Sequence, residues 1–141
     1  MITVQWQLLD DRANQPTQGH AGDAGWDLYA LEDTVLRAGL VPVKIATGMA
    51  IQLPAGYAAW VTGRSGLTLA GLVVHLGLID PSYRGEIGVM VSASSGEYRH
   101  ISAGQRIAQL VVFPVVNARW AQAEALDTTA RGSAGFGSTG K

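Results

Sequence analysis

Cysteine is absent from the 141 residues. That excludes disulfides, thiolate zinc sites and a cysteine nucleophile, but leaves the compartment open. Charge is scarce as well: Asp, Glu, Lys and Arg make up 15% of the chain, against about 25% in ordinary domains. The formal net charge is −1, so no basic field exists to hold long nucleic acid without sequence preference. The three histidines, His20, His75 and His100, lack metal-ligand spacing and read as structural or surface residues. A run long enough to span a bilayer is missing too. The longest mostly apolar stretch, Gly66 to Ile79, contains Thr68 and His75 and falls short of the ~20 residues required. The start, Met1-Ile-Thr-Val-Gln-Trp6, has neither the basic opening nor the apolar run of a signal peptide. The expectation is a soluble, cytoplasmic protein with no membrane partner.

Hydrophobic residues make up 48% and mean hydropathy is +0.16, more apolar surface than one small domain hides easily. An oligomer interface is the simplest outlet. Helical periodicity is hard to find, whereas alternation recurs at Val4-Trp6-Leu8, Val41-Val43-Ile45, Met49-Ile51-Leu53 and Ile87-Val89-Val91. Ile107 to Phe113 reads as a strand buried on both faces. Turn signals stand at Pro54-Ala-Gly56, Asp80-Pro-Ser82, Ser95-Gly96 and Ala103-Gly104. Only Ser65 to Ala70 suits a helical turn, with Ser65 as its cap. These signs predict an all-β sandwich, jelly roll or barrel with one short helical turn. A core over residues 1–127 is followed by a glycine-rich tail, 128–141, which composition marks as flexible.

Several clusters are chemically suggestive. Gly63-Arg64-Ser65-Gly66 either cradles an anion at a helix N-terminus or is a capped turn with a surface arginine. Gly77 to Ile87 reads as a hairpin whose tip carries Asp80 and Tyr83, as general base and sugar wall or as turn aspartate and packing ring. Asp27, inside Ala24-Gly-Trp-Asp-Leu28, either holds Mg²⁺ through water or bonds local backbone. Arg106 and Gln109 are satisfied structural polars or phosphate contacts. In the tail, Arg131, Ser138 and Thr139 suit phosphate oxygens, and Phe136 suits the face of a base. No Gly-x-Gly-x-x-Gly precedes a helix, and no Walker loop or triad-fitting serine elbow is found.

Taken in order, Ala24-Gly-Trp-Asp-Leu-Tyr-Ala30, Arg64-Ser-Gly-Leu67, Gly77-Leu-Ile-Asp-Pro-Ser-Tyr-Arg-Gly85, Arg106-Ile-Ala-Gln-Leu110 and Arg131-Gly-Ser-Ala-Gly-Phe-Gly-Ser-Thr-Gly140 resemble the five motifs of the trimeric dUTP pyrophosphatases (dUTPases). The resemblance runs from about residue 20 to the C-terminus. It implies a jelly-roll-like β subunit, a homotrimer with shared active sites, and hydrolysis of dUTP to dUMP and pyrophosphate with Mg²⁺. Such an activity limits uracil in DNA and supplies dUMP for dTMP synthesis.

By that resemblance Asp80 activates the attacking water and Tyr83 excludes a 2′-hydroxyl. Main-chain groups of Gly77, Leu78, Ile79 and Asp80, with Gly88 opposite, read the uracil. Arg64, Ser65, Gly66 and Gln109 hold the phosphates, and Asp27 binds Mg²⁺ through water. Arg131, Gly137, Ser138 and Thr139 close over the γ-phosphate while Phe136 stacks on the base. The chain departs from the family pattern at Gln105, where an acidic residue is common, and at Ala134, where glycine is usual. It also lacks the asparagine often found before the hairpin, with Val74 or His75 nearby. The alternatives are a dCTP deaminase-like enzyme or a noncatalytic regulatory protein on the same fold.

Overall fold

The structure, a computed structural model, describes residues 1–135, leaving aside the side chains at 40 and 95–97. Nine strands and one helical turn follow in order: β1 Gln5–Leu8, β2 Gly25–Tyr29, β3 Thr34–Ala46, β4 Met49–Gln52, β5 Tyr57–Thr62, α1 Ser65–Leu69, β6 Leu72–Val74, β7 Gly77–Ile79, β8 Gly88–Ile101 and β9 Arg106–Pro114. They form three antiparallel sheets with strand orders β1-β4, β2-β9-β5-β7 and β3-β8-β6. The all-β architecture expected from the alternation, with the jelly-roll-like form that the resemblance implies, is the one observed.

The period-2 pattern builds the core where it is strictest. Ile87, Val89, Val91 and Ala93 are all buried along one face of β8 and its approach. They meet Leu36 and Ile45 of β3 and Leu28, Val61, Ile107 and Leu110 of the other large sheet in one continuous cluster. In β9, Ile107, Ala108 and Leu110 are buried while Gln109, Val111, Val112 and Phe113 are half-buried, so the run is less fully covered than a strand buried on both faces. The Val4-Trp6-Leu8 alternation forms a strand without a buried face, since all four residues of β1 are exposed. Val41 likewise stays outside while Ile45 goes in.

Turn chemistry holds at three of the four signals. Tyr57 N–H donates to Pro54 O at 3.2 Å around Gly56 (φ 82°), the positive φ that a type II turn needs. Tyr83 N–H donates to Asp80 O at 3.1 Å, with Pro81 in the second position. Gln105 N–H donates to Ser102 O at 3.0 Å around Gly104 (φ 75°). The fourth signal, Ser95-Gly96, lies inside β8, which runs on to Ile101, but the ladder with β3 skips it, passing from Arg37↔Tyr98 to Ala38↔Ala93.

Two further expectations need correction. Ser65 is not the helix cap; it is the first helical residue, and Arg64 takes the N-cap position with extended backbone and no side-chain cap bond. Gly77 to Ile87 is not a hairpin. β7 pairs with β5, whereas β8 pairs with β3 and β6. Val74 already occupies Val91 of β8, so β7 has no place on β8 and takes the open edge of β5. Residues 80–87 therefore carry the chain from one sheet to another.

Candidate active site: two half-sites at opposite ends of one strand

The phosphate-type residues converge at the C-terminal end of β5. β9 lies between β2 and β5, and Gln109 is opposite both Asp27 and Thr62. The Gln109 amide donates to Gly63 O at 3.0 Å, tying the β5–α1 loop down over the sheet. Arg64, next in that loop, reaches back so that its Nε lies 2.9 Å from Asp27 Oδ1. Arg106 meets the other oxygen, Nη1 to Oδ2, at 3.1 Å. Asp27 is buried (7% exposed), so both lone-pair edges of a nearly dry carboxylate are taken by guanidiniums.

Arg106 gets there by a β-bulge. The register passes from Leu28↔Ala108 to Tyr29↔Arg106, leaving Ile107 as an extra residue. In an unbroken strand, residues 106 and 109 would face opposite sides. Bulges beside sites re-aim side chains in this way. These groups line an open cleft of about 600 Å³, with Ser65, Gly66 and Leu67 as another part of its wall. Two guanidiniums over one carboxylate leave one positive charge at its centre, which suits a polyphosphate. The rim holds His20 and Asp23, whose carboxylate accepts His20 N–H at 2.8 Å; the sequence marked His20 only as a structural or surface residue and did not mark Asp23, since loop residues of this kind carry no periodic signal.

Asp80 lies elsewhere. β7 runs antiparallel to β5 with Gly77 opposite Val61 and Ile79 opposite Ala59, so Asp80 falls beside the N-terminal end of β5. A six-residue strand spans roughly 17–20 Å, so Asp80 and Arg64 of one chain stand about that far apart. With Leu78, Asp80 lines a separate, largely apolar cavity of about 530 Å³ that also holds Trp60, Phe113 and Val116. The Trp60 and Phe113 rings pack at 4.3 Å between centroids, tilted by 39°.

Tyr83 lies in the adjoining loop with its ring against Gly85, where a Cβ would overlap its hydroxyl end. Its Oη donates to Glu86 O at 2.9 Å. Arg84 ties the same loop by donating to Pro81 O and Tyr83 O at 2.7 and 2.8 Å. Gly88 pairs with Ala46 in the other sheet and does not line the Asp80 cavity. Where the family asparagine would be sought, the His75 ring meets Ser92 Oγ at 3.0 Å.

Gln105, the departure in the fourth motif, holds the β8–β9 turn: its Oε1 accepts Ser102 N–H at 3.1 Å. After Pro114 the described chain, residues 115–135, carries no strand or helix and is exposed throughout. Arg131 is folded onto its own tail there, with Nε donating to Ala134 O at 3.0 Å and its carbonyl accepting Ala134 N–H. The expected contacts of Phe136, Gly137, Ser138 and Thr139 lie outside the described residues. No helix among the described residues is long and apolar enough to cross a membrane.

The described residues contain no group of three or more His, Asp or Glu side chains able to cage a metal ion. With both Asp27 oxygens on arginines, the chain's own donors do not fit a directly held Mg²⁺.

The fold and site define an antiparallel β protein with two arginines paired to a buried aspartate at one end of a strand and a second aspartate at the other. Comparison with known proteins gives the particular family. The dUTPase family model matches residues 11–140, and the chain belongs to the dUTPase family. It is 38% identical over 142 residues to a deoxyuridine 5′-triphosphate nucleotidohydrolase of Clostridium tetani, covering 99% of this chain and 97% of that one. The identity to the Thermobifida fusca enzyme of the same name is 42% over 143 residues, covering 99% and 79%. Among solved structures, the Staphylococcus bacteriophage 80alpha dUTPase with dUpNHpp superposes with a TM-score of 0.94 at 29% identity, covering both chains fully. A phage phi11 dUTPase variant, described with a structural Mg(II) ion, gives 0.84 at 27% identity over 90% of this chain and all of that one.

Proposed function

We propose that this protein hydrolyses dUTP to dUMP and pyrophosphate in active sites shared between copies of a homotrimer. The observation that carries the reading is the separation of the two half-sites along β5 in a chain of this family. A substrate whose phosphates lie on Arg64 and Gln109 needs Asp80 from another copy to reach its α-phosphorus. Exposed apolar residues such as Val41 (82%), Leu69 (91%) and Leu76 (66%) give such an assembly surface to bury. The described tail, with Val116, Trp120 and Leu126 outside, offers further apolar side chains for a neighbour to cover.

In this reading Arg64, Ser65, Gly66 and Gln109 hold the phosphate chain in line with a water. Asp80 takes the water's proton as it attacks the α-phosphorus, and pyrophosphate leaves. Positioning and charge neutralisation supply most of the rate, as in phosphoryl transfer generally. Main-chain groups of Gly77, Leu78 and Ile79 read the uracil, whose 4-position accepts where cytosine donates; Gly88, placed in the other sheet, is left out of this set. Tyr83 fills the space of a 2′-hydroxyl. Residues 128–141, through Arg131, Phe136, Gly137, Ser138 and Thr139, close over the bound triphosphate. Mg²⁺ enters with the triphosphate and neutralises its charge; no residue of the described chain is assigned as its direct ligand. The protein acts in the cytoplasm, where it limits uracil in DNA and supplies dUMP for dTMP synthesis.

The test is pyrophosphate release from dUTP, dCTP, dTTP and UTP, with ammonia release followed in parallel. Fast release from dUTP alone is the expected result. Ammonia from dCTP would move the chain to the deaminases, and no turnover of any nucleotide would leave a binding protein.

A further inference from the structure

We infer that Asp27 is a positioning residue: its buried carboxylate aims Arg64 and Arg106 at the substrate's polyphosphate, and it does so without a metal ion. The inference rests on the nucleotide reading above and deepens it at one residue.

Three features of the cleft carry it. Asp27 Oδ1 takes Arg64 Nε at 2.9 Å and Oδ2 takes Arg106 Nη1 at 3.1 Å, so each oxygen already has a cationic donor. Each arginine meets Asp27 through one nitrogen, and even with the Arg64 Nη1 bond to Arg106 O further N–H donors of each rigid fork are left to turn toward the cleft. The side chains of Arg64 and Arg106 are 28% and 48% exposed, while that of Asp27 is 10% exposed. The anchor is buried and the forks are wet.

The second feature is how much local structure serves this contact. The bulge at Ile107 brings Arg106 to Asp27, and the Gln109–Gly63 hydrogen bond fixes the loop that carries Arg64. Arg64 also reaches Arg106 O through Nη1 at 3.5 Å, so the two arginines are braced against one another. The third is electrostatic. A cation placed on this carboxylate would face two guanidiniums, whereas phosphate oxygens would face their free donors.

A metal-holding role and a positioning role separate when the metal is removed. Calorimetric titration of dUpNHpp into the full chain, once with Mg²⁺ and once with EDTA, reads the difference; dUMP serves as the ligand lacking the outer phosphates. Asp27→Asn keeps size and shape but leaves only one acceptor for two arginines. Its affinity for dUpNHpp should fall by roughly tenfold or more in both buffers, with dUMP affinity within about twofold of the wild type.

A loss confined to the Mg²⁺ buffer would make Asp27 a metal contact and overturn the inference. An equal loss for dUpNHpp and dUMP would reduce Asp27 to a structural residue, and no loss would make it a bystander. Should Asp27→Asn fail to fold, Arg106→Gln on the exposed arm reads the same arrangement. It should weaken dUpNHpp in EDTA and spare dUMP, and unchanged EDTA affinity would overturn the inference as well. A wild-type chain that binds neither ligand refutes instead the nucleotide reading beneath it.

Discussion

Gly25 and Gln109 occupy a space that only glycine leaves open: a Cβ at residue 25 would overlap Oε1 of Gln109. Gln109 uses that space to donate to Gly63 O, so the absence of a side chain on β2 secures the loop that presents Arg64. Gly25→Ala forces the amide aside and should cost about 1–3 kcal/mol, with weaker dUTP binding. Urea unfolding and KM measure both. A wild-type midpoint with wild-type KM would mean that Gln109 has another way to hold the loop.

Gly85 has the same relation to Tyr83. A Cβ there would overlap the ring's hydroxyl end, so Gly85→Ala should push Tyr83 off its seat and break its bond to Glu86 O. If Tyr83 bars the 2′-hydroxyl, the kcat/KM of UTP relative to dUTP should rise about tenfold, roughly 1.4 kcal/mol of lost discrimination. An unchanged ratio would remove Tyr83 from sugar selection.

These two glycines also mark where sequence reasoning works and where it stops. Alternation found the β class, because burial on a pleated sheet imposes period 2 on the residues themselves, and an unbroken apolar run found β9. Turn residues found Asp80–Tyr83 and Ser102–Gln105, where φ values and short-range bonds are local. Pairing partners are not local. Nothing in Gly77 to Ile87 tells that β6 has already taken the edge of β8, so a sheet-to-sheet crossing reads as a hairpin. Ser95-Gly96 fails differently: those residues stay within β8, yet the β3 ladder skips them, passing from Tyr98 to Ala93. Arg106 was open between structure and phosphate because its direction depends on one extra residue, Ile107, in a bulge. Family resemblance gathered the site residues into one set, but their division between the two ends of β5 is visible only in three dimensions.

Glu86 connects the Asp80 loop to the body of the fold. Its Oε1 accepts the N–H of Gly48 at 2.8 Å, in a turn where Gly48 has φ 67° and packs on Ala13. Glu86→Ala strands that partly buried donor and should cost ~1–3 kcal/mol. Chemical denaturation checks the stability, and the same variant should show lower kcat as the loop loosens. Unaltered stability would place the anchor elsewhere, in Thr47 Oγ1, which donates to Ile87 O at 2.6 Å.

At the surface, Asp10 is held at about 2, against an ordinary 3.8, first by the Arg12 side chain and then by the Arg12 backbone N–H. The bonds are 2.8–3.0 Å long. A folded-state value below the ordinary one means that the contribution to stability is complete above 3.8 and fades as pH falls through about 2. The carboxyl resonance of Asp10 should therefore titrate with a midpoint about 2, and Arg12→Ala should return it to the ordinary carboxylate range. A wild-type midpoint at 3.8 would show that this exposed contact is averaged away in solution.

The separation of Asp80 from Arg64 makes the last prediction a matter of counting. Asp80→Asn should keep the fold and bind dUTP while losing turnover by about 10²–10⁴-fold, and Arg64→Ala should be impaired through its phosphate contact. Mixed as subunits, unfolded together and reassembled at equal ratio, the two variants need not stay inactive. A site built from Asp80 of one copy and Arg64 of another is intact whenever the first copy is the Arg64→Ala chain and its neighbour the Asp80→Asn chain. Each condition holds for half of the chains, so about one quarter of the sites recover in a symmetric ring whose interfaces form at random. Activity near a quarter of the wild type is the expected result. If both residues served a site within one copy, every site would carry a defect and mixing would restore nothing.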